Sequence, residues 1–252
     1  MDIASHAEGV NTWAGQKPPA SEGSGSSSGS GSSSGGVTDT NGDKIEGSLW
    51  AAHAEGIDTK AYGVASHAEG WGTEAETNYS HSEGFNAKAQ GISSHSEGYN
   101  TVASGMYSHA EGQSVIASGI GAHAEGGRDN TTAKASGNYS HIEGWNTLAL
   151  GKNSHAEGNG TSARGENSHA EGQNSTTFDN AAHAEGIQTQ AAGKGSHAEG
   201  AYTKVGNGTE TDTSSSGDYS HAEGWGNMVF GIGSHVEGRN NIAYGDYQHI
   251  QG

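Results

Sequence analysis

Every histidine in the chain opens the same four-residue motif. Fourteen of the fifteen copies read His-x-Glu-Gly, and the one at His249 reads His-Ile-Gln-Gly. The histidines stand at 6, 53, 67, 81, 95, 109, 123, 141, 155, 169, 183, 197, 221, 235 and 249. An imidazole two residues from a carboxylate can share a proton with it, donate to it, or join it in holding a divalent ion. Eleven of the fourteen intervals are 14 residues, the others being 47, 18 and 24. A fixed short period means a solenoid, in which each repeat is one coil stacked on the next.

The elements that position these groups can be read from one unit, counting its histidine as position 1. From His155 the unit reads His-Ala-Glu-Gly-Asn-Gly-Thr-Ser-Ala-Arg-Gly-Glu-Asn-Ser. Two short runs alternate with period two and each ends at glycine, which predicts strand, turn, strand, turn. On the first strand His and Glu share one face and the small residue at position 2 takes the other. The second runs from position 7 to position 10, with Ala61, Ala75, Ala89, Ala103, Ala117, Ala149, Ala163, Ala191 and Ala243 at position 9. Positions 8 and 10 accept Lys60 and Tyr62, Leu148 and Leu150, or Met228 and Phe230, as an outward face would. Small residues at 2 and 9 place two sheets close together, so the expected architecture is all-β, a two-sided parallel β-roll of 14-residue coils. Glycines at 4 and 11 mark turns that need positive φ or a close approach between coils. The chain divides into a first coil (1–15), a Ser/Gly-rich insert (16–48) read as flexible, and a repeat domain (49–252).

Composition bounds the partners. Leu, Ile, Val and Phe number 25 of 252 residues and the net charge is −18, values common in disordered chains. The strict period argues instead for order through backbone hydrogen bonds and association with further copies. With 11 basic residues against 29 acidic ones, nucleic acid is not an expected partner. No apolar run is long enough for a membrane helix, no secretory signal is legible at the start, and the absence of cysteine excludes disulfides and zinc–thiolate sites.

Two placements of the His/Glu face are open: against other copies of the chain, or inside the roll with alanine outward. The first is preferred, since an interior of ionisable groups would need every one satisfied. The expected oligomer-interface ladder comprises His53, Glu55, His67, Glu69, His81, Glu83, His95, Glu97, His109, Glu111, His155, Glu157, His169, Glu171, His197 and Glu199. Stacked strands lie about 4.8 Å apart, where neighbouring glutamates repel by about 3.5 kcal/mol at an effective dielectric near 20. The histidines are the natural partners, and on that ground their pKa values are expected to rise. A second reading loads the columns with divalent metal, for which His67, Glu69, His155, Glu157, His169 and Glu171 are candidates; no other cofactor is expected. A third reading is hydrolysis of surface polysaccharide by paired carboxylates. Every coil offers the same pair and none is singled out, so no catalytic residue is assigned and an enzyme is not expected.

The longer intervals place inserts at 16–48, near 128–134 and near 207–216, all assignable to the turn at positions 10 and 11. Asp39-Thr40-Asn41-Gly42-Asp43 resembles part of a calcium loop, but its glycine comes too early and a plain polar turn is the expectation. Tyr62, Phe178, Phe230 and Tyr244 lie outward at position 10 and are candidates for glycan contact. Trp71, Trp145 and Trp225 share position 5 with Phe85 and Tyr99 and are read as packing residues.

Ser154-His155-Ala156-Glu157-Gly158 occupies the frame of the Ser-Val-Ala-Ile-Gly repeat, and on it the chain resembles the YadA-like heads of trimeric autotransporter adhesins. The Ser-His-Ala-Glu-Gly form is most similar to repeats in tail-fibre and receptor-binding proteins of bacteriophages and prophages. The likeness covers residues 4–15 and 50–252. It implies a left-handed parallel β-roll assembled as a homotrimer, acting as a host-attachment fibre or adhesive head toward a bacterial surface glycan or protein. It also implies a place on a virion or an extracellular surface. A secretion signal, coiled-coil stalk and membrane anchor like those of a complete autotransporter are not seen, which favours the virion fibre.

Overall fold

The computed structural model describes residues 5–15, 51–127, 133–208 and 216–252, and these form a parallel β-solenoid without a helix. Each coil gives one strand that begins on the histidine, such as His155–Asn159, and one short strand, such as Ser162–Ala163. The two kinds of strand build two separate sheets, and within each of the chain's two compact units each strand pairs with its counterpart in the next coil. Backbone ladders cover positions 7 to 10, as expected: Lys60 N donates to Thr73 O at 2.9 Å and Tyr62 N to Ala75 O at 2.8 Å.

Two compact units divide the chain at Gln113 and Ser114. Among the described residues the first has six long strands, from His6–Val10 to His109–Gln113, and the second nine, from His123–Gly126 to His249–Gln251. Register follows one rule in both units: His155 pairs His169, Ala156 pairs Ala170 and Glu157 pairs Glu171, just as His67 pairs His81 and Glu69 pairs Glu83. Any slip by one residue would turn the acidic face inward, so the alternation of His, Ala and Glu itself pins the register.

The interior is narrow and made of small side chains. Ala156 and Ala163 are fully buried, and the larger Ile142, Val205, Val229 and Val236 occur in the same slots. Thr161 at position 7 and Ser168 at position 14 are buried as well. The serine ties down the turn before it. In coil after coil its hydroxyl donates to the carbonyl of the position-11 glycine, as Ser154 does to Gly151 and Ser168 to Gly165, both at 2.7 Å. Asn227 takes the threonine position in one coil. Its amide donates to the carbonyls of Glu223 and Gly238, and its oxygen accepts from Asn241 N at 2.8 Å.

Two of the inserts leave from the expected turn. The chain departs after Gly15, whose N–H bonds Ala61 O as a position-10 residue does, and again between Gly206 and Gly217. The four-residue insert does not. Lys134 pairs with Leu148 and Ala135 with Ala149, which makes them positions 8 and 9, so the extra residues fall in the other turn, after Gly127. Sequence spacing alone could not separate the turns, because both lie between one histidine and the next. Residues 16–48, with the calcium-like run at 39–43, lie outside the described residues, as do 128–132 and 209–215.

Candidate functional site

The long-strand sheet carries the histidines and glutamates on its outer face. With alanine filling the roll, the interior has no room for imidazoles, and the alternative with His and Glu inside is overturned. All sixteen expected ladder residues, from His53 and Glu55 to His197 and Glu199, stand in this outward column and are half-buried to exposed. Stacking of the coils stacks the rings. Centroids of His155 and His169 are 4.8 Å apart with planes 6° from parallel, and those of His197 and His221 are 4.6 Å apart at 2°. Order is lower where the first unit begins, the His6 and His53 rings meeting edge-on at 62°.

Within these coils of the second unit, histidine and glutamate are close but not hydrogen-bonded: Nε2 to Oε2 is 3.7 Å for His183–Glu185 and His221–Glu223, and 3.9 Å for His155–Glu157. The Nε2 atoms of His155, His183, His197, His221 and His235 are covered by neighbouring rings and make no hydrogen bond within the chain. Burial and the adjacent imidazoles therefore decide the protonation. Burial first, then His81 and His109, push His95 down to about 4. His141, His155, His183, His197 and His221 are lowered by burial and then by stacked histidines, against the upward pull of the glutamates. For these six the expected rise is corrected to a fall, because a half-buried ring beside further imidazoles loses more by burial than it gains from a carboxylate at this distance.

Ligand atoms that converge to within 4.8 Å of one another belong to His95–Glu97–His109, His183–Glu185–His197, His197–Glu199–His221 and His221–Glu223–His235. The metal candidates chosen from sequence, His67, Glu69, His155, Glu157, His169 and Glu171, are not in these groups. Each pairs within its own strand, His67 with Glu69 and His169 with Glu171 at 3.7 Å. Small differences in ring tilt separate the coils, and the sequence carries no signal for them. Set against protein-family models and curated proteins, the chain matches none.

A second surface feature lies on the first unit. A shallow groove of about 570 Å³ runs between the turn after the long strand and the short-strand sheet, edged by Trp71 and Asp58. Lys60, Glu74 and Lys88 cross it on successive coils, with Glu74 at 2.9 Å from Lys60 and 3.6 Å from Lys88. Burial pushes the Glu74 carboxyl up, but the two lysines outweigh it and hold it below its ordinary value.

Of the glycan candidates, Phe230 and Tyr244 stack at 5.4 Å, and Tyr244 is strongly exposed. Tyr62 lies half-buried in the first unit, and Phe178 lies half-buried under the Arg164 guanidinium at 5.6 Å. The position-5 aromatics pack at the surface and not in the interior. Trp71, Tyr99, Trp145 and Trp225 are exposed, and Trp71, Phe85 and Tyr99 lean on one another along the edge at 5.4 and 5.1 Å. They follow the position-4 glycine, where the strand turns away from the core. A further set that sequence reasoning misses, Tyr79, Tyr107, Tyr139, Tyr219 and Tyr247, is exposed at position 13. Several lie over a small residue one coil earlier, as Tyr219 does over Gly195, and that alternation is the signal that marks them.

Proposed function

We propose that the chain is a non-catalytic structural fibre protein, a left-handed β-roll working as a homotrimer that attaches a virion or an extracellular surface to a bacterial glycan or protein. One observation carries this reading: an identical outward pattern, histidine and glutamate in register, is repeated along the coils of each unit. A surface that repeats at every step suits lateral association along its length, whereas catalysis needs one distinctive pocket. The resemblance of the Ser-His-Ala-Glu-Gly unit to phage fibre repeats supports the same conclusion. Exposed Val10, Ile57, Trp71 and Tyr99 on one edge of the first unit add apolar surface that a neighbouring copy would cover. Recognition is assigned to the turns and their aromatics, since loops on a rigid scaffold carry variable contacts.

Sedimentation equilibrium tests the assembly. The expected mass is three times the 25.5 kDa of one chain, unchanged on dilution to nanomolar concentration. A folded species of 25.5 kDa would overturn the trimer. Attachment is tested with the labelled protein on intact bacteria, before and after periodate oxidation of surface sugars. Retention on a susceptible strain is expected, and no retention on any host of the source phage or bacterium would refute the role.

A further inference from the structure

We propose that the histidine column of the second unit is a divalent transition-metal site, built from His183, Glu185, His197, His221, Glu223 and His235. Here three gathered groups follow one another on consecutive coils, sharing His197 and His221. Each offers two imidazole nitrogens and one carboxylate oxygen, a donor set that suits zinc, nickel, cobalt or copper and not calcium or magnesium. The ligands are also free to act. Nε2 of all four histidines makes no hydrogen bond within the chain, so binding breaks none. Glu185 and Glu223 stand 3.7 Å from His183 and His221 on the same strand face, too far for a good hydrogen bond and near enough to close on a shared ion.

Geometry sets the strength and the stoichiometry. Bonds of about 2.1 Å place two nitrogens at most about 4.2 Å apart across one ion. At tetrahedral angles the nitrogens lie about 3.4 Å apart, so the stacked rings, with centroids 4.6 to 4.8 Å apart, must tilt together by about 1 Å. They are half-exposed and can do so, which points to micromolar affinity with water completing the coordination. One nitrogen cannot ligate two ions, so the groups that share a histidine exclude each other. The first and third groups fill together and the middle one stays empty. With His95–Glu97–His109 of the first unit, saturation comes at three ions per chain.

Titration of the full chain with Zn²⁺ by calorimetry, and with Co²⁺ by visible absorption, tests this. Wild-type protein is expected to saturate near three ions. H197Q/H235Q removes every group in the second unit and should leave one. H155Q, on a coil with no such group, should leave all three. If the double variant loses its β-sheet circular dichroism, E185Q/E199Q/E223Q serves instead, since it removes the carboxylate of all three groups, with an expected tenfold or greater weakening of two sites and the ring stack untouched. No saturable uptake by folded wild type, or equal losses from H155Q and H197Q/H235Q, would overturn the proposal. Either result would leave the trimer and attachment readings standing, since neither needs an ion.

Discussion

Substituting alanine for Gly158 is expected to destabilise the second unit by more than about 3 kcal/mol, enough to open the roll at that coil. Gly158 has φ of +110°, a conformation L side chains rarely adopt. An added Cβ would also collide with the carbonyl oxygen of Gly172 and lie 3.0 Å from its carbon. Both are backbone atoms held in the ladder, so neither can move without spreading the coils. Substitution at Gly160, two residues on, should have the opposite outcome. Its φ of +70° is close to what Asn86, Asn100 and Asn146 adopt at the same position, and the nearest obstacle is the Asn174 side chain. G160N is therefore expected to change stability by under about 0.5 kcal/mol. Denaturant melts of the two variants with limited proteolysis check both. Equal stability of G158A and wild type would show that the coils are not locked by this contact.

Acid is expected to unfold the protein well before alkali does. The folded pKa values of His95, His141, His155, His183, His197 and His221 lie below the ordinary value, His95 at about 4. Above about pH 6.5 the rings are neutral in the folded and the unfolded chain, so the full stability is present. As pH falls from about 6.5 towards 4, the unfolded chain takes up protons that the folded column refuses, and stability is lost through that window. The rings are partly exposed, so each contributes only a fraction of the unscreened value. Six such groups should still lower Tm by on the order of 10 °C between pH 7.5 and 4.5. Melts with a chelator present keep bound metal out of the comparison. H95Q should flatten the slope, and a protein more stable at pH 5 than at pH 8 would contradict the burial of the rings.

Much of the fold is legible in the sequence because one period carries it. Alternating His, Ala and Glu separates the two faces of the long strand without telling which faces in, a choice settled by the burial of the alanines, and the alanines at position 9 set the thickness of the roll. Other features are silent in composition. Thr161 and Ser168 are polar by type and buried by position, and only the hydrogen bond of Ser168 to the turn explains its place. The left-handed residues are not chiefly the glycines at 11 but the residues at 6 and 13, with φ near +55°, filled by Asn, Asp, Tyr and Ala alike. Asparagine at position 6 hints at this, whereas Tyr79 and Ala65 give no such sign. The protonation of the histidines escapes a sequence reading, which shows the carboxylate two residues away but not the imidazole one coil above and below. The gathered groups depend on ring tilts that near-identical motifs do not distinguish.

The identical register of successive coils bears on how such a gene can change. A tandem duplication or loss of fourteen codons leaves each remaining coil with neighbours that offer the same backbone partners and the same small interior side chains. Unequal recombination can then lengthen or shorten the roll in steps of about 4.8 Å without a folding penalty elsewhere. Insertions of other sizes survive only in the turns, where the three longer intervals between histidines now lie.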